Sequence, residues 1–222
     1  MSDSKISGPS VFMANYSSIE AMDISRLIAW YGLRLTPNFL DDATCRQLIS
    51  EAQASGSDPA IVYGQNDVGQ VNDLVRKAKR LELPATTIEY VKQRLIEHQK
   101  TLEDRFSIPL STCEDPQFLR YDVGDFFVAH QDGNTGLLKL ASDAERRVSI
   151  SLLLNSQSDE PVSGTYGGGS LRFSDYRAEP QNREFYLPIE AGTLVAFRSE
   201  LTHEVTPITH GHRYSIVSWY RQ

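Results

Sequence analysis

At Gln117 the hydrophobic pattern of the chain changes period, and that change limits the fold more than any other feature of the 222 residues. From there to the C-terminus, eight short segments are apolar or alternate, at 117–121, 125–130, 148–154, 170–174, 184–188, 193–198, 203–208 and 213–220. Clusters of Gly, Pro, Asn and Ser separate them. Short strands at this spacing, with no helical stretch between them, build a sandwich or jelly roll rather than alternating βαβ units.

Before residue 117 the period is helical. Ser17-x-x-Glu20 fits a capping box ahead of Ala21, Ile24, Leu27 and Ile28, predicting an amphipathic helix over about 18–30. Asp41 or Asp42 caps a second helix with a stripe of Cys45, Leu48, Ile49 and Ala52, and Gly56 stops it. A third begins near Thr86 or Thr87, turns Ile88, Val91, Leu95 and Leu102 inward, and ends before Pro109. His98 falls on that same stripe and reads as a packed, half-buried histidine rather than a ligand. Residues 56–73, rich in Gly, Asp and Asn, read as loop or irregular strand. The chain is therefore expected to be one domain over 1–222, α+β but mainly β. Residues 1–116 form a helical flank with irregular loops, and 117–222 the β core.

A net charge of −7 argues against general affinity for nucleic acid, which requires a basic surface. LVRKAKR, residues 74–80, is the one dense cationic run, and its plain reading is a solvated helix face or loop. No apolar run approaches the roughly 18 residues that span a bilayer, so no membrane partner is expected. The N-terminus lacks the cationic and apolar segments of a signal peptide. With only Cys45 and Cys113, neither a disulfide framework nor a cysteine-rich metal site is implied, and the cytoplasm is the expected compartment.

The chemistry concentrates in two places. In His130-Gln-Asp132 the imidazole and the carboxylate stand two residues apart, which puts them on one side of an extended chain and within reach of one cation. Further on, His203 supplies another imidazole and Arg213 a guanidinium on the last strand. Two His and one carboxylate make the facial triad of non-heme Fe(II) oxygenases, with positions left open for a cosubstrate and dioxygen. Guanidinium grips carboxylate bidentately, so Arg213 suits the far end of a dicarboxylic acid such as 2-oxoglutarate. Two His and an Asp also suit zinc, which leaves a non-catalytic, cupin-like metal-binding barrel as the alternative.

The stretch Arg120-Tyr121-x-x-Gly124-x-x-Phe127-x-x-His130-x-Asp132 resembles the prolyl 4-hydroxylase-like branch of the Fe(II)/2-oxoglutarate dioxygenases. Other segments match in family order: Arg146-x-x-Ser149 leading to Leu154-Asn155, Tyr166 to Phe173, Ala191 to Phe197, His203-x-Val205-x-Pro207-x-x-x-Gly211-x-Arg213, and Trp219. The resemblance implies a double-stranded β-helix, with His130, Asp132 and His203 as iron ligands and Arg213 on the distal carboxylate of 2-oxoglutarate. Tyr121 would bond that cosubstrate, and Ser215 would add a hydrogen bond. Fe(II), 2-oxoglutarate and O2 are the implied cofactor and cosubstrates, with ascorbate as an accessory reductant. The implied activity is hydroxylation of an unactivated C–H bond with release of succinate and CO2. A prolyl residue in a protein or peptide is the first substrate, and a free amino acid or other small metabolite the alternative. Leu153, Phe127 and Ser170 depart from residues common in the family, whereas Asp132 favours hydroxylation over halogenation. The loop 133–145 and residues 56–85 are expected at the mouth of the site.

Overall fold

Val148, Ile150, Leu152 and Leu154 alternate with Ser149, Ser151 and Leu153, and both sets are buried. Successive side chains of a strand leave on opposite faces, so a segment of this kind has to be covered on both sides. The computed structural model shows what covers it. It describes residues 21–222 apart from 61, 64–68, 71, 134–144, 176 and 178–183.

The elements run α1 (Ala21–Trp30), β1 (Arg34–Thr36), α2 (Asp42–Ala54), β2 (Ser57–Pro59), β3 (Val62–Tyr63), β4 (Gly69–Gln70), β5 (Arg76–Lys77), β6 (Lys79–Leu81) and α3 (Ala85–Phe106). After them come β7 (Gln117–Tyr121), β8 (Phe126–His130), β9 (Arg146–Leu153), β10 (Tyr166–Gly168), β11 (Leu171–Ser174) and β12 (Glu184–Leu187). The last four are β13 (Leu194–Arg198), β14 (Thr202–Val205), β15 (Ile208–Gly211) and β16 (Arg213–Arg221). Seven strands form a major antiparallel sheet in the order β1-β13-β9-β16-β7-β6-β2, and five a minor one in the order β12-β11-β14-β8-β5. This is the expected jelly roll, mainly β with three helices.

One face of the major sheet is packed by the helices. Cys45, Leu48 and Ala52 of α2 and Val91, Leu95, Leu102 and Phe106 of α3 share a core with Val148, Ile150, Leu152, Leu154, Ile216 and Tyr220. The Tyr220 hydroxyl donates to the Leu95 carbonyl at 2.6 Å inside this layer. Leu95→Ala is expected to cost about 2–5 kcal/mol of stability through the cavity it leaves, read as a lower midpoint in chemical denaturation. The other face looks into the barrel, where Leu171, Phe173, Val195 and Phe197 form a second core with Tyr31 and Leu33. Leu119, Tyr121, Leu153, Val205 and Ile208 form a third.

The boundaries of α2 and α3 hold with small shifts, and α1 ends at Trp30 as expected. The Asp41 carboxylate caps α2 by accepting from the Thr44 amide at 2.7 Å, and the helix closes at Ser55, one residue before Gly56. Helix α3 starts one residue early behind Pro84 and closes at Ser107 in the left-handed region. His98 is half-buried as expected, its Nε2 3.2 Å from the Thr36 hydroxyl and its ring edge-on to Phe39. The capping box at Ser17 and Glu20 and most of the 133–145 loop lie outside the described residues.

Residues 56–73 carry the short strands β2, β3 and β4, in keeping with irregular strand, whereas 74–80, expected as a helix face or loop, holds β5 and most of β6, which extend the minor and the major sheet. Their two or three residues are too short for a periodic signal. The expected strand at 203–208 is two, β14 and β15, with β15 paired to β10. Gly168 and Gly169 have φ of 64° and 58°. A Cβ on Gly167 would collide with the His210 ring, and one on Gly168 with the Pro207 carbonyl, so the glycine run serves a bend and a close strand approach.

Candidate metal centre

His130 closes β8, and the antiparallel register sets it directly opposite His203 on β14. Cross-strand partners have neighbouring Cβ atoms, which explains how residues 73 positions apart meet. Asp132 follows β8, and its amide donates to the Ser199 carbonyl at 2.9 Å, tying it to the turn after β13. His130 Nε2 lies 3.4 Å from Asp132 Oδ1, and His203 Nε2 3.5 Å from Asp132 Oδ2. The three ligand atoms all lie within 4.8 Å of one another. Bonds of about 2.1 Å to one ion require neighbouring ligand atoms roughly 3 Å apart, so the cluster fits a single cation after small side-chain movements.

Each imidazole is oriented by its second nitrogen. His130 Nδ1 stands 2.8 Å from the Val128 carbonyl, and His203 Nδ1 2.9 Å from that of Leu201. A carbonyl only accepts, so Nδ1 carries the proton and Nε2 presents its lone pair to the cluster. Phe127 stacks on His130 with centroids 3.6 Å apart, and Phe197 meets His203 edge-on at 4.7 Å. Burial, reinforced by the neighbouring His130, pushes the His203 imidazole down to about 4, which keeps it neutral and available as a ligand. For Asp132 burial acts upward, but the neighbouring His203 and His130 outweigh it and hold the carboxyl well below the usual range. The set thus offers a neutral His203 and an ionised Asp132 at neutral pH.

Arg213 is 1% exposed, and no carboxylate among the described residues pairs with it. Its Nη1 donates to Ser215 Oγ at 2.8 Å, its guanidinium lies 5.3 Å over the Tyr121 ring, and its Nε has no hydrogen-bond partner. Gly169 leaves the room it occupies, since a Cβ there would crowd the Arg213 side chain. An unpaired buried cation is costly, and an anion delivered to it removes the cost. The residues therefore fit a dicarboxylate as well as a metal. One cavity of about 230 Å³ is lined by His130, Asp132, His203, Tyr121, Arg213 and Ser215, so all six side chains singled out in the sequence come together. Leu153, fully buried in the same cluster as Tyr121, offers no hydroxyl to a ligand.

Support for Asp132 comes from a group that the sequence did not single out. Glu114 accepts from Arg146 Nε at 2.8 Å and Nη2 at 2.7 Å, and from Arg221 Nε at 2.9 Å. The Arg146 guanidinium, 3.8 Å over the Trp219 ring, also reaches the Asp132 carbonyl at 3.5 Å. Glu114 stands in no recognisable motif, and only its contacts reveal it. Glu114→Gln is expected to weaken metal affinity about 10-fold, measured by anaerobic titration with Fe(II).

Comparison with known proteins agrees with this site: residues 116–221 match the 2OG-Fe(II) oxygenase superfamily. The chain is also similar to PKHD-type hydroxylases. It is 36% identical over 105 residues to one from Stenotrophomonas maltophilia (strain R551-3) and 29% identical over 104 residues to one from Paraburkholderia phytofirmans. These matches take in 47% of this chain and 41% of each relative, so the chain spans less than half the length of the curated relatives it matches. Among solved structures, a Pseudomonas putida prolyl-4-hydroxylase superposes with a TM-score of 0.64 at 23% identity, over 90% of this chain and 97% of that one. A prolyl hydroxylase from Trichoplax adhaerens, solved with a hypoxia inducible factor oxygen degradation domain peptide fragment, gives 0.61 at 18% identity over 89% and 87%. At these identities the likeness is one of fold. No helix among the described residues is long and apolar enough to cross a membrane.

Proposed function

We propose that the protein is an Fe(II)- and 2-oxoglutarate-dependent hydroxylase, acting on a prolyl residue of a protein or peptide. The observation that carries this reading is the pairing of His130, Asp132 and His203 with a buried Arg213 in one cavity. A bare metal site has no use for a guanidinium kept dry at such cost, which argues against the cupin-like alternative. The free, buried thiols of Cys45 and Cys113 support the cytoplasm as the setting. Residues 1–222 are read as one domain, with 117–222 the catalytic core.

His130 Nε2, Asp132 and His203 Nε2 hold the metal, with the Val128 and Leu201 carbonyls keeping each imidazole in the right tautomer. Arg213, propped by Ser215, takes the distal carboxylate of 2-oxoglutarate, and the Tyr121 hydroxyl would bond the same cosubstrate. When bound, Fe(II) with 2-oxoglutarate and O2 supplies the oxidation, giving a hydroxylated product, succinate and CO2. Leu171, Phe197 and Val205 line the cavity with apolar surface that excludes water from the reacting atoms. The neutral His203 and the ionised Asp132 need no proton change to serve as ligands.

The test is aerobic incubation with Fe(II), 2-oxoglutarate and a panel of proline-containing peptides, with succinate and peptide mass as readouts. Stoichiometric succinate and one added oxygen on a prolyl residue are expected. Succinate with oxygen delivered only to small molecules would move the substrate to the metabolite alternative, and no succinate under any condition would leave a non-catalytic barrel.

A further inference from the structure

We infer that the substrate brought to this centre is anionic, with a carboxylate held by Arg76 and Arg80; the inference rests on the oxygenase reading above. In LVRKAKR, residues 74–80, Lys77, Lys79 and Arg80 keep contact with solvent as the charge implies, but Arg76 is buried and the run is not a helix face. It runs through β5 and β6, where side chains alternate between faces. Lys77 and Lys79 leave on the outer side and are neutralised by the turn after β7: Lys77 pairs with Asp125 at 3.3 Å and Lys79 with Asp122 at 2.6 Å. Ala78 joins the inner cluster of Leu119 and Tyr121. Arg76 and Arg80 line the cavity that contains the metal cluster.

Two further facts make these arginines a candidate substrate clamp. β5 is the edge of the minor sheet and β6 belongs to the major sheet, so the chain steps from one sheet to the other between Arg76 and Arg80. The two guanidinium groups therefore approach the cavity from both of its walls. Arg76, 8% exposed, lies 4.7 Å over the Phe127 ring, and Phe127 stacks on His130, which leaves one ring between this cation and a metal ligand. Arg80 is exposed where the cavity opens, and no carboxylate among the described residues pairs with it. Arg213 already provides for the dicarboxylate deeper in the barrel. Two more arginines in a chain of net charge −7 provide for a second anion, and their planar, permanently charged donors favour carboxylate. That carboxylate belongs either to a free amino acid or chain end, or to an acidic side chain beside the oxidised residue.

Matched acids and amides separate these sources by binding alone. The full chain, held without oxygen with Fe(II) and saturating 2-oxoglutarate, is titrated calorimetrically with N-acetylproline and N-acetylprolinamide. It is then titrated with end-blocked Glu-Pro-Glu and end-blocked Gln-Pro-Gln. The acid is expected to bind about 10-fold more tightly than its amide in at least one pair, the effect of one charge-assisted hydrogen bond. Arg80→Gln, at an exposed position, is expected to reduce that preference to under about threefold without changing the affinity of the amide. Arg76→Gln acts in the same direction, whereas Lys77→Gln removes an equal charge from the outer side and leaves the preference intact. Acid no tighter than amide in both pairs overturns the inference, as does a preference untouched by Arg80→Gln or lost equally in Lys77→Gln. The oxygenase reading fails separately, if Fe(II) and 2-oxoglutarate give no visible charge-transfer band before any probe is added.

Discussion

Arg213→Met is expected to weaken 2-oxoglutarate binding by more than about 100-fold while leaving the ligand-free chain as stable as the wild type, or more so. The affinity loss follows from losing a bidentate contact: two charge-assisted hydrogen bonds are worth about 1.5–3 kcal/mol each, and about 1.4 kcal/mol is tenfold. The stability result follows from burial. At 1% exposure the guanidinium has been taken out of water, its Nε has no partner, and among the described residues it faces Ser215, the Tyr121 ring and Tyr166 rather than a carboxylate. Replacing such a cation by an apolar side chain of similar length is neutral or favourable in the folded state. Calorimetric titration measures the first effect and thermal denaturation without ligand the second. An Arg213→Met chain that unfolds much more readily would make the arginine a structural member of the barrel.

His203→Ala is expected to have the larger effect on the metal itself. Removal of a ligand should lower Fe(II) affinity beyond the roughly 10- to 100-fold that loss of a supporting group produces. His203 is 6% exposed, sits opposite His130 in the register, and is oriented by the Leu201 carbonyl, and among the described residues no further His, Cys, Asp or Glu joins the cluster to substitute for it. His98→Ala is the matched control. That histidine packs between Thr36 and Phe39 on the far side of the major sheet, and its loss should leave iron binding unchanged. Anaerobic Fe(II) titration of the two variants checks both expectations.

The parts of this architecture that the sequence revealed are those with a repeating pattern or a paired chemistry. Strand β9 alternates Val148, Ile150 and Leu152 with Ser149 and Ser151, and α3 turns Val91, Leu95 and Leu102 to one side, so each announces the face it buries. His130 and Asp132 declare themselves by a spacing of two, and His203 and Arg213 by their order further on. What stayed hidden depends on contacts between distant segments. Strands of two or three residues, such as β5 and β6, show no period, and they exist because β7 and β8 offer edges to pair with. The placing of Arg76 and Arg80 along the cavity is set by those pairings, which charge density alone does not reveal. Glu114 gains its role from Arg146 and Arg221, 32 and 107 positions away, which nothing local in its sequence can signal.

The most direct trial of the whole account is a visible spectrum of the oxygen-free protein as Fe(II) and then 2-oxoglutarate are added. A charge-transfer band that grows with the keto acid in the wild type, disappears in His203→Ala and requires far more 2-oxoglutarate in Arg213→Met is the expected result. Absence of the band from the wild type, or a band of equal strength in His203→Ala, would contradict it.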